Sequence, residues 1–108
     1  MIEISANYLL SRIKSIPKFC VVAGSGLSSI ESIIKDKIKI NFYDVPGFNS
    51  TVIKGHGGYF IFGNLEGCLV LFSIGRYHYY EGYSKEQVSM PIRVFQKIGI
   101  KNIILTNS

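Results

Sequence analysis

Residues 3–15 set Ile4, Tyr8, Leu9 and Ile13 at spacings close to 3.6 with polar positions between them, which predicts an amphipathic helix closed by Pro17. KFCVVAG (18–24) is a short apolar run rich in strand formers and predicts a buried strand, broken by Gly24-Ser25-Gly26. Ser28 with Glu31 three residues later matches a capping box and predicts a helix reaching about Lys35. KIKINFY (37–43) alternates apolar and polar residues and predicts another strand. YFIFGNLEGCLVLFSIG follows as two strands around the turn Asn64-Leu65-Glu66-Gly67. Ser84 with Gln87 predicts the start of a helix to about Gly99, with Pro91 marking a kink or an irregular first part. KNIILTNS (101–108) predicts a final strand.

Strands and helices interleave, so the fold class is α/β: a mixed central sheet flanked by helices, within one domain over 1–108. There are no internal repeats and no low-complexity segments. The sequence closes with its last strand, where a helix would normally return along the sheet. The expectation is therefore an incomplete fold with an uncovered sheet face and an exposed strand edge.

Composition narrows the classes. With 47% hydrophobic and 18% charged residues, the 108-residue chain reads as globular, not disordered. No apolar run reaches the roughly 18–20 residues that span a bilayer, and Met1-Ile2-Glu3 has no basic leader, so the expectation is a cytoplasmic protein without a membrane partner. The net charge of +5 would suit an anionic partner, yet the lysines are scattered. Their densest cluster, IKDKIKI (34–40), reads as a solvated helix end running into a strand, so no nucleic-acid partner is expected. Cys20 and Cys68 both fall in strand-like apolar runs and are expected as buried free thiols. No CxxC or HxxxH spacing supports a metal site.

Three stretches could carry chemistry. AGSGLSS (23–29) has the strand, Gly-rich turn and helix start that present backbone N–H groups to an anion, with Ser25 as the candidate ligand. It is neither a Walker loop nor a dinucleotide fingerprint, and by itself it is as readily a tight strand-to-helix turn. GRYHYYEGY (75–83) holds Arg76, whose planar fork can grip two oxygens of a phosphate, and His78, a donor or acceptor near neutrality. The plainer alternative is a surface loop in which Arg76 pairs with Glu81 and the tyrosines cover an edge. His56, in KGHGG, lies within the glycine-rich stretch 44–58, longer than a compact domain ordinarily needs; it could close over a ligand or simply face water.

Taken in order, GSGL (24–27), PGF (46–48), STV (50–52), GHGG (55–58), GRYHYYEGY (75–83), PIRVF (91–95), GI (99–100) and ILTNS (104–108) resemble the trimeric class of purine nucleoside phosphorylases, from about Phe19 to Ser108. GSGL is unspecific; the GR-aromatic-H-x-YEGY run is highly specific, and the ordered set more so. The resemblance implies cleavage of purine nucleosides by inorganic phosphate to the free base and the sugar 1-phosphate, with inversion at the anomeric carbon. It implies phosphate contacts from Ser25, Arg76 and His78, with His56 at the phosphate mouth and Tyr80 meeting the sugar. The family's TNAAG stands here as Thr106-Asn107-Ser108, which puts Ser108 where a backbone N–H faces phosphate. No cofactor is implied beyond phosphate as co-substrate.

Family members are much longer. The Glu and Asn that read the purine, a Ser and Met at the phosphate and sugar, and a His near the sugar 5′-hydroxyl have no counterpart here. The chain therefore resembles the N-terminal, phosphate-binding portion, with no complete catalytic set (His56 and His78 are the candidates) and no residues that reveal base preference. A homotrimer or a complementing C-terminal half is the implied partner. Two other readings remain: a non-catalytic module that binds phosphate or ribose phosphate, and an interaction protein that uses the sheet.

Overall fold

The computed structural model describes residues 2–23, 25–48, 58–75 and 85–106. Helix α1 spans Ile2–Arg12, followed by strand β1 (Phe19–Ala23), a 3-10 segment (Ser25–Ile33), β2 (Lys35–Asn41), a 3-10 turn (Phe42–Asp44), β3 (Tyr59–Leu65), β4 (Cys68–Ile74), helix α2 (Lys85–Ile98) and β5 (Ile103–Leu105). The five strands form one sheet in the order β2-β3-β4-β1-β5. β1 runs parallel to β4 and β5, whereas β3 is antiparallel to β2 and β4. This is the mixed sheet with helices that the alternating pattern predicts.

Side-chain alternation along each strand divides the apolar residues between two faces. Cys20, Val22, Ile40, Phe60, Phe62 and Leu71 point to the face covered by both helices, where they meet Ala6 and Leu9 of α1 and Val94, Phe95 and Ile98 of α2. Phe60 sits at the centre of an aromatic group, with ring centroids 4.6 Å from Phe42, 5.4 Å from Phe48 and 5.8 Å from Phe95. Each such ring, fully buried, contributes roughly 1.5–3 kcal/mol. Val21, Ile61, Val70, Phe72 and Ile74 point the other way, against Ile30 of the 3-10 segment and Ile34 just beyond it.

Several expectations shift. α1 ends at Arg12, and its packed stripe runs through Ser5, Ala6 and Leu9, leaving Ile4 exposed. The segment after β1 is a 3-10 helix that begins at Ser25, not an α-helix opened by Ser28, and Lys35 already belongs to β2. β2 carries a bulge between Lys35 and Ile38, where Asp36 adopts a φ of 53°. The β3–β4 turn is tighter than expected: Leu65 pairs with Cys68, and Glu66 and Gly67 make the link at φ values of 51° and 86°, the signature of a type I′ turn. That turn also corrects Cys68, which is exposed because it opens β4 at the hairpin tip; only Cys20 is a buried thiol, its ionisation pushed up by desolvation. α2 continues through Pro91.

The two outer strands differ. Lys35, Lys37 and Lys39 of β2 are exposed, and with the bulge they make an edge that resists pairing. β5 borders only β1 among the described residues and leaves Ile104 and Leu105 exposed at 49% and 66%. Among the described residues, the exposed apolar positions of the sheet edges are therefore on the β5 side, whereas the interior strands β3, β4 and β1 are buried on both faces.

Candidate functional site

β1 and β4 lie side by side and parallel, with Ala23 opposite Ile74. The chain leaving β1 enters the 3-10 segment on one face, whereas the chain leaving β4 returns through α2 on the other. Two neighbouring parallel strands whose continuations depart to opposite faces leave a crevice beyond their carboxyl ends, the usual ligand position in α/β sheets. Ser25 opens the 3-10 segment at one lip of that crevice, and Gly75 stands at the other, immediately before Arg76.

Local backbone contacts draw the strand ends together. Gly75 donates its N–H to Ala23 O at 2.8 Å and has a φ of 79°, a left-handed conformation that suits glycine. Thr106, just past β5, donates to Val22 O at 3.0 Å. On the other side, Gly58 leads into β3 and packs directly on the end of β4. A Cβ at Gly58 would lie 2.1 Å from Ile74 O and 2.7 Å from Gly75 O, so only glycine allows this approach. Gly58 O also accepts from Phe42 N at 3.0 Å, closing the base of the long 42–58 stretch. The ends of β3, β4, β1 and β5 thus adjoin across three strand spacings, about 14 Å.

Of the sequence candidates, Ser25 has a described backbone position, at the start of the 3-10 segment. His56, Arg76, His78, Tyr80 and Ser108 lie outside the described residues. In the sequence, His56 stands two residues before Gly58, Arg76 one after Gly75, and Ser108 two after Thr106. A groove of about 590 Å³, lined in part by Lys14, Asp36, Lys37, Phe62 and Asn64, lies at the opposite, hairpin end of β3 and β4.

Sequence reasoning did not find the polar contact that fastens the 3-10 segment. Tyr59, the first residue of β3, donates its phenolic hydroxyl to Glu31 Oε2, and Lys39 Nζ lies 4.1 Å from the centre of the Tyr59 ring. Lys37 Nζ donates to the Glu31 carbonyl at 2.8 Å. Partial burial, then the hydrogen bond and charge of Glu31, push the Tyr59 phenol up to about 12. No spacing rule links residues 28 apart; Glu31 carried a signal, but for a capping box. Among the described residues, no group of three or more histidine, cysteine or carboxylate side chains could hold a metal ion, and no helix is long and apolar enough to cross a membrane.

Residues 18–108 match the Phosphorylase superfamily. Purine nucleoside phosphorylase 1 of Geobacillus stearothermophilus is 38% identical over 107 residues, which cover 99% of this chain and 39% of that protein. The solved structure of a Schistosoma purine nucleoside phosphorylase with hypoxanthine superposes at a TM-score of 0.85 and 36% identity, covering 99% of this chain and 37% of that one. A purine nucleoside phosphorylase in complex with ribose 1-phosphate gives a TM-score of 0.83 at 34% identity, covering 99% and 39%. The chain thus spans about two fifths of the length of the relatives it matches.

Proposed function

The chain belongs to the phosphorylase superfamily, and from that premise we propose that it forms the phosphate-binding portion of a purine nucleoside phosphorylase acting in the cytoplasm. The observation that carries this reading is the crevice at the carboxyl ends of β1 and β4, where Ser25 opens the 3-10 segment at one lip and Gly75 stands at the other. Ser25, Arg76 and His78 enclose phosphate, His56 approaches from the 42–58 stretch, the backbone N–H of Ser108 adds a donor, and Tyr80 meets the ribose. The relatives whose structures hold hypoxanthine and ribose 1-phosphate support this pairing of ligands.

The chemistry suits such a cradle. A phosphate oxygen attacks the anomeric carbon while the glycosidic bond breaks, its electron pair leaving with the purine and a proton arriving at N7. Positive charge develops on the sugar, so an anion held in line both attacks and stabilises. An Arg fork and backbone N–H groups hold the phosphate, and no cofactor is required. The leaving base needs a partner for N7 that has no counterpart in residues 1–108. Catalysis therefore requires further polypeptide, either a complementing C-terminal half or additional chain, assembled as a homotrimer as the family resemblance implies.

Phosphate titration followed by amide NMR tests the cradle. Shifts at Ser25, Arg76 and His78 are expected, and Arg76→Ala should abolish them. No response at those positions would overturn the assignment. Inosine and phosphate incubated with this chain alone should yield no hypoxanthine; release would refute its catalytic incompleteness. Adding a polypeptide that supplies the remaining length of the relatives should restore release, and binding without restored release would point to a non-catalytic phosphate module.

A further inference from the structure

The 3-10 segment is nine residues long, whereas 3-10 hydrogen bonds are poorly aligned and runs beyond three or four residues are uncommon. Its own backbone therefore cannot hold it firmly in place. It is attached to β1 at one end, rests Ile30 on the sheet, and is fastened through Glu31: the carboxylate accepts from Tyr59 of β3, and the carbonyl accepts from Lys37 of β2. Tyr59 is itself fixed in the ladder, opposite Asn41 on one side and Ile74 on the other. It directly follows Gly58, the residue wedged on the end of β4. One hydrogen bond thus joins the segment that begins at Ser25 to the point where the His56-bearing stretch returns to the sheet.

We propose that Glu31 and Tyr59 are positioning residues: their hydrogen bond braces the 3-10 segment against β3 and so sets where the Ser25 end presents its backbone N–H groups to phosphate. This rests on the phosphate-binding role of the Ser25 turn. The brace acts through placement and touches no substrate. Because the acceptor is a carboxylate, the bond belongs to the stronger, charge-assisted kind. Lys39 over the Tyr59 ring restricts the phenol further.

Two substitutions separate bracing from general stability. Tyr59→Phe keeps the ring and its packing but removes the donor. Glu31→Gln keeps an oxygen acceptor for the phenol. Amide hydrogen exchange on the phosphate-free chain should show residues 25–33 exchanging about tenfold faster in Tyr59→Phe, with β1 and β4 unchanged, and less accelerated in Glu31→Gln, which keeps a neutral acceptor. Phosphate affinity, read at the Ser25 amide, should fall about tenfold in Tyr59→Phe, the order expected for one charge-assisted hydrogen bond, and by a smaller factor in Glu31→Gln. Unchanged exchange over 25–33, or acceleration spread equally through β1 and β4, would overturn the brace. A faster-exchanging segment with undiminished phosphate affinity would overturn its role in binding. If the wild-type Ser25 amide ignores phosphate, the phosphate reading itself fails, while the exchange comparison still decides whether the brace exists.

Discussion

The strands β3 and β4 meet at both of their ends, and the two junctions use glycine for different reasons. At the hairpin end, Gly67 has a φ of 86° and open space where a Cβ would project. Only its own backbone conformation favours glycine there. At the other end, Gly58 is required by its neighbours, because the carbonyls of Ile74 and Gly75 and the ring of Phe42 occupy the space a side chain would need. One junction is a local solution to reversing the chain; the other is a tertiary contact that brings three segments to one crevice. Glycines of similar appearance in the sequence therefore differ in what they protect.

The sharpest way to break this contrast is Gly58→Ala. A methyl group inside two carbonyl oxygens cannot be accommodated by rotamer changes, so backbone must move. The expected loss is about 3 kcal/mol or more by urea unfolding, together with loss of any phosphate response at Ser25. A cost below that of a hairpin-turn substitution would show that the junction is loosely packed. Gly67→Ala should cost about 1 kcal/mol, the ordinary penalty for a left-handed residue with a Cβ, and leave phosphate binding unchanged. The smallest effect concerns pH. Tyr59 loses its proton near pH 10 when unfolded and near 12 when folded, so the folded state retains more protons between those values. Its contribution is fully present below pH 10 and declines as pH rises towards 12. Unfolding midpoints across that range should fall more steeply in the wild-type chain than in Tyr59→Phe; parallel curves would mean the phenol is not held by Glu31.

Legibility in the sequence followed the range of the interactions. β1, β3 and β4 could be read from their apolar runs, because a strand buried on both faces needs little beyond them. The 3-10 segment was misread for a definite reason: Ser28 and Glu31 fit a local capping pattern, whereas Glu31 is engaged by Tyr59, 28 residues away. Cys68 was misplaced because its apolar run begins at a hairpin tip, where composition says buried and geometry says exposed. The convergence of the Ser25 and Gly75 ends depends on strand order, which no single segment encodes. The ordered motifs pointed to it only through resemblance.

The unequal borders of the sheet give growth a direction. A lysine-studded, bulged margin at β2 discourages an incoming strand, whereas β5, held in register by β1, presents an apolar margin among the described residues. Among the described residues, a strand joining this sheet would meet less resistance beside Ile104 and Leu105 than beside Lys35, Lys37 and Lys39.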